Sequence, residues 1–178
     1  MPLTRRDFVI RTATTAAAAN PLTQMAAAAS VTSTGPLSAH QWQLIAQLGE
    51  AIVPGSKTAG LIEFLHQQLN KPPHQALLMV RYLGLPLTPQ QVYAQLAEQL
   101  INYTANHPAA GDLADTGQAN QLAEAMANDS VANWQGLPAS LYHFIVRSDG
   151  CDVVYGTPSG SRLLGLDYMP HIMPPELL

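Results

Sequence analysis

Six histidines, one cysteine and a pair of aspartates are the side chains of this sequence best suited to chemistry, and their spacing limits what they can do. His40, His66, His74, His107, His143 and His171 are scattered along the chain. No H-x-x-x-H or H-E-x-x-H pair places two imidazoles on one helix face, so a zinc-type site is not expected. His66 and Glu63 share a face one turn apart, the arrangement of a solvated ion pair. Asp149 and Asp152 bracket Gly150-Cys151, but the alternating ligands and terminal glutamate of an EF-hand loop are missing. There is no G-x-S-x-G elbow, phosphate loop or G-x-G-x-x-G fingerprint, and Gly156 and Gly160 are spaced for none of these. His143 near Cys151 is what remains. A thiol and an imidazole are the types of a nucleophile and its base, but with no third orienting group identified the two do not make a catalytic constellation. Cys151 is the one cysteine. No internal disulfide can therefore form, and no cysteine set exists for attached haem or an iron–sulfur cluster. Such a thiol is either buried and inert or paired with another chain.

The elements that would position these residues read as helices. Ser38-Ala39-His40-Gln41 is a capping box, with Leu37 and Trp42 at the staple positions, and Trp42, Ile45, Leu48 and Ile52 recur at helical spacing until Pro54-Gly55. A second helix is predicted from about Thr58 to Asn70, with Leu61, Ile62, Leu65 and Leu69 on one side. A third starts at Pro72-Pro73, carries Leu77, Leu78 and Val80, and ends near Gly84. Thr88-Pro89-Gln90-Gln91 is another capping box with proline at the first helical position, opening a fourth helix through Val92, Leu96, Leu100 and Tyr103. Asn106 to Gly117 reads as loop, Gln118 to Ala127 as a short amphipathic helix, and Asn128 to Gln135 follows no single period. Pro138 begins a final long helix through Leu141, Tyr142, Phe144 and Ile145 toward Val154. No strand-like alternation is present. The expected fold is all-α, a small irregular bundle of about five to six helices.

Both ends differ from this body. The chain opens with Thr4-Arg5-Arg6-Asp7-Phe8, an arginine pair followed by a large apolar residue, which matches the twin-arginine type of bacterial export signal. The stretch behind it, broken by Arg11 and rich in alanine, is far short of the roughly 20 apolar residues of a membrane span. Small residues at Ala26 to Ser30 offer cleavage after Ala28 or Ala29. Residues 1–29 are therefore expected to be a signal peptide, 30–37 a linker, 38–155 the helical domain and 156–178 a C-terminal tail. In that tail Gly156 to Gly165 permits at most a two-turn helix, with Thr157 as cap and Gly165 as stop. Pro170, Pro174 and Pro175 then hold the apolar remainder extended. An extended apolar tail must cover its own domain or lie on something else.

Composition narrows the partners. Beyond the leader the basic residues are Lys57, Lys71, Arg81, Arg147 and Arg162, against eleven acidic ones, the chain's twelve less Asp7. A mildly acidic domain is a poor match for nucleic acid, whose phosphates call for clustered cations. Charged residues make up 11% of the chain, where an ordinary soluble domain has about 25%. Glutamine and asparagine take their place. A surface poor in charge suits a bound partner; a compositional bias of the source genome would produce the same count.

One resemblance adds to these readings. Asp152-Val153-Val154-Tyr155-Gly156-Thr157-Pro158-Ser159-Gly160 leads into Arg162-Leu163, Gly165-Leu166, Tyr168-Met169, His171-Ile172 and Pro174-Pro175-Glu176. Together they resemble the C-terminal signature of the gluconate 2-dehydrogenase subunit 3 family. The Leu48 to Pro54 stretch and the leader are similar to that family too, while Pro72 to Ala139 carries nothing diagnostic. The resemblance implies a non-catalytic small (gamma) subunit of a membrane-associated periplasmic complex, exported by the twin-arginine translocase. It implies as partner a large FAD-binding dehydrogenase of the glucose–methanol–choline type, with a multihaem cytochrome c subunit in some complexes, and no cofactor in this chain. The small subunit would escort and stabilise the large one. Tyr155, Gly156, Pro158, Leu166, Tyr168, Met169, His171 and Pro174 are then the expected partner interface, and Arg5, Arg6 and Phe8 the export signal. A stand-alone periplasmic binding module for a small ligand, or the hydrolase using Cys151 and His143, would be the alternatives.

Overall fold

A computed structural model describes residues 37–166. The leader residues Arg5, Arg6 and Phe8, and the tail residues Tyr168, Met169, His171 and Pro174, lie outside the described residues. Seven α-helices are present among those described: α1 (Ala39–Ile52), α2 (Ser56–Ala59), α3 (Leu61–Leu69), α4 (Pro89–Asn106), α5 (Thr116–Ala127), α6 (Ala139–Gly156) and α7 (Pro158–Leu163). Short 3-10 segments occupy Met79–Tyr82 and Pro108–Ala110. No strand occurs among the described residues. The fold is all-α, as the periodicity predicts.

The two capping boxes form as the sequence requires. Ser38 Oγ accepts from Gln41 N–H at 3.3 Å while Gln41 Oε1 accepts from Ser38 N–H at 2.8 Å. Thr88 and Gln91 repeat the exchange at the head of α4, with the same two distances. Each box satisfies two orphan donors and fixes where its helix begins. Asp115 caps α5 by accepting from Gly117 and Gln118 N–H, which starts that helix two residues before the predicted Gln118.

α1 lies centrally, packing against α4, α5 and α6 and burying Leu44, Ile45 and Leu48 completely. Opposite it, α6 buries Tyr142, Ile145, Val146, Val153 and Val154, and α5 buries Leu122 and Met126. Close approach needs small residues. A Cβ on Gly49 would collide with the Leu61 side chain, and one on Gly150 would meet Val53 Cγ2 at 3.1 Å. Tyr142 hydroxyl donates to Gln95 Oε1 at 3.1 Å, joining α6 to α4 through the interior.

Two predicted helices are corrected. The helix expected from Thr58 to Asn70 is cut by Gly60, whose φ of 101° is left-handed. Only glycine adopts that conformation cheaply. The helix expected from Pro72-Pro73 does not form. Prolines remove two backbone donors there, Gln75 and Ala76 N–H turn back to the Pro72 carbonyl, and side chains take the next ones. Gln68 Oε1 accepts from Leu77 N–H at 2.9 Å, and Asp149 Oδ1 accepts from Met79 N–H at 2.8 Å. The segment is a strap, held by side chains, with a single 3-10 stretch. Within it Ala76, Leu78 and Val80 still reach the core, so the apolar pattern marks burial rather than helix.

Asp149 is the one fully buried carboxylate among the described residues. Its second oxygen accepts from Tyr93 hydroxyl at 2.6 Å. Its pKa is raised from 3.8 to about 6: burial drives the rise, the two hydrogen bonds oppose it, and the like charge of Asp152 adds to it. Burial also pushes the Tyr93 phenol well above its usual value, and Asp149 beside it adds to the shift. Between pH 4 and 6 the folded protein thus holds this proton more tightly than the unfolded chain does. The carboxyl's contribution to stability is complete below about pH 4 and is lost as pH rises through about 6, a change on the order of 3 kcal/mol. Urea unfolding of Asp149→Asn should remove this slope, because the amide accepts from Met79 and carries no charge. Parallel pH profiles for the two proteins would refute the assignment.

Candidate functional site

The residues singled out at the C-terminal end meet at one corner, built around Thr157. Its hydroxyl donates to Val153 carbonyl at 2.6 Å, closing the end of α6, and accepts from Gly160 N–H at 3.1 Å, capping α7. One side chain thereby ends one helix and starts the next. Pro158 stands at the first turn of α7, where a missing N–H costs nothing. Ser159 hydroxyl donates to Ala59 carbonyl at 3.1 Å, tying the corner to the end of α2. Gly160 sits so close to α6 that a Cβ would overlap the backbone carbonyls of Val153 and Val154. At the far end, Leu166 N–H reaches Ser161 carbonyl and Gly165 N–H reaches Arg162 carbonyl. With Gly165 at φ 70°, this is a Schellman stop. Thr157 as cap and Gly165 as stop are both as the sequence predicts.

The inner side of the corner is held by these bonds, and its outer side exposes several large apolar side chains beside Asp152, Ser159 and Arg162. Tyr155 is 63% exposed, Leu166 59%, Leu163 46% and Leu164 43%. Gly156 and Pro158 are exposed as well. Leu163 lies over Gly55, where a Cβ would come within 3.0 Å of its methyl, so the corner also covers the turn between α1 and α2. Of the expected interface, Tyr155, Gly156, Pro158 and Leu166 are the described residues, all of them exposed along the α6–α7 segment. Leu163 and Leu164 join them, unnamed in that expectation. Their signal was available: adjacent leucines in a two-turn helix cannot both face the core.

The remaining candidates separate. His143 and Cys151 stand on α6 eight residues apart, about 12 Å along the axis, and are not brought together. Burial, then the nearby Arg147 charge, lowers the His143 pKa. Cys151 is half-buried. His66 packs its ring on Trp42, with centroids 4.0 Å apart, which gives it a place other than a pair with Glu63. Asp149 points into the core while Asp152 is exposed, so the two do not line one loop. No cluster of three or more His, Cys, Asp or Glu suited to a metal occurs among the described residues. No described helix is long and apolar enough to cross a membrane. No family model, curated protein or solved structure matches the chain.

The corner makes a direct prediction. Gly160→Ala should cost about 2 kcal/mol or more, because backbone carbonyls cannot move aside as a flexible side chain would. Thr157→Val, which keeps the shape and loses the cap, should cost about 1 kcal/mol. Chemical denaturation of each variant checks the order; equal costs would show that α7 does not seat on α6 in this way.

Proposed function

We propose that this chain is a non-catalytic small subunit of a periplasmic flavin-dependent dehydrogenase complex, an export escort and stabiliser of a large FAD-binding subunit. The observation that carries the reading is the α6–α7 corner. It is rigidly bonded beneath and apolar outside at Tyr155, Leu163, Leu164 and Leu166. Adjoining apolar side chains on a well-ordered scaffold are what a protein partner buries. The corner also contains part of the Asp152 to Glu176 stretch that, with Leu48 to Pro54 and the leader, carries the resemblance to the gluconate 2-dehydrogenase subunit 3 family. The Arg5-Arg6 leader supplies the second support, since the twin-arginine route carries folded cargo and would let one signal export an assembled pair. In this reading FAD belongs to the partner, a glucose–methanol–choline type flavoprotein. A multihaem cytochrome c joins in some complexes, and the assembly sits at the periplasmic side of the membrane.

The test is affinity purification of the exported chain from the organism that makes it, with absorbance read for co-eluting flavin. A flavoprotein is expected to co-purify and to remain in the cytoplasm when this chain is deleted. Its export and activity without this chain would overturn the escort role. The double change Tyr155→Ala and Leu166→Ala should reduce co-purification several-fold while the helical circular dichroism stays unchanged, because both side chains face outward. Lost helicity would instead place them in the core.

A further inference from the structure

Depressions on the described surface differ in chemistry, as three of them show. One, near Trp134 and Tyr103, holds only about 20 Å³, less than one water's share of the liquid. A second, about 240 Å³, lies between α1 and α5. Glu50 lines it, and both of its oxygens are already taken by Gly55 and Lys57 N–H. The third is a cleft of about 470 Å³ in the strap between α3 and α4, within the size range of small-molecule sites.

The cleft's walls are aliphatic, from Val80, Leu85, Pro86 and Leu87, with His74 and Arg81 as the groups able to donate from side-chain nitrogen. No acidic residue lines it. Arg81 lies 5.5 Å from the centre of the Tyr82 ring, and its guanidinium has no carboxylate partner among the described residues. The cradle is held in advance of any ligand. Gln90 Nε2 donates to Leu69 carbonyl at 2.7 Å, Gln68 holds Leu77, and Asp149 holds Met79. Such latching limits the ordering cost that binding would otherwise carry.

We propose that this cleft binds a small amphipathic carboxylate, its aliphatic body along Val80, Leu85 and Leu87 and its carboxylate on the Arg81 fork. The guanidinium matches a carboxylate in shape and charge, and an aliphatic wall favours a chain of methylenes over a hydroxylated body. This site is separate from the α6–α7 corner and does not depend on the escort reading.

Sodium octanoate, octanol and octylamine are suitable probes, titrated into the purified chain and followed by backbone amide shifts and thermal unfolding. Octanoate should bind with a dissociation constant on the order of 1 mM or tighter, shifting amides of residues 73–89. Octanol and octylamine should bind about tenfold more weakly or worse, as expected for loss of a charge-assisted pair. Arg81→Gln should weaken octanoate to the octanol level, and Arg81→Lys should recover part of the loss. Arg81 is exposed, so neither change threatens the fold, and circular dichroism verifies this. No octanoate binding, equal binding of octanol, shifts centred elsewhere, or an unaffected Arg81→Gln would each overturn the proposal.

Discussion

A carboxylate buried without a cation is the constraint on which the architecture turns. Asp149 has no positive partner among the described residues, and it is tolerated because two donors converge on it, Tyr93 hydroxyl from α4 and Met79 N–H from the strap. Each donor needs it in return. Met79 N–H belongs to a segment that two prolines keep from becoming a helix, so it has no partner of its own within that segment. The Tyr93 phenol is completely buried and would otherwise leave its proton unpaired. Three elements distant in sequence are therefore fixed to one another by a single side chain. The cost is borne as a raised pKa rather than as an unsatisfied group.

Glutamine does elsewhere what aspartate does here, and this changes what the low charge of the chain means. Gln41 and Gln91 close the two capping boxes. Gln68 accepts from Leu77, Gln90 donates to the carbonyls of Leu69 and Lys71, and Gln99 accepts from Gln135 N–H. Read as surface filler, these residues pointed to a partner or to compositional bias. Several of them instead latch backbone groups, so they are structural rather than mere surface filler. The case for a partner rests on the exposed apolar corner instead.

Legibility in the sequence followed the range of the interaction. Both capping boxes, the Thr157 cap and the Gly165 stop act over three to five residues, and all were readable. The break at Gly60 is local too, yet the apolar face of Leu61, Leu65 and Leu69 behind it dominates the helical period and masks it. The strap was misread because Leu78 and Val80 are buried by contacts with distant elements, and burial alone does not distinguish a helix from an irregular segment. Asp149 was noticed only as half of a loop with Asp152. Its true partners lie 56 and 70 residues away, and nothing in its neighbourhood announces them. Within the corner, the seating of Gly160 on the α6 carbonyls needs the tertiary structure, because Gly160 meets residues of a different helix.

Helix α6 ties these contacts to one another. Along its length Gly150 admits Val53, Asp149 holds the strap, and the carbonyls of Val153 and Val154 receive Gly160. The corner therefore cannot shift without disturbing groups bonded in the core. That separates two explanations for its exposed leucines and tyrosine. Apolar residues stranded by loose packing would sit on a poorly bonded segment, free to turn inward at small cost. Here the backbone beneath them is capped at both ends and tied across to α2 by Ser159. Turning the backbone inward would break those bonds, so the outward position of these side chains is imposed by the scaffold itself.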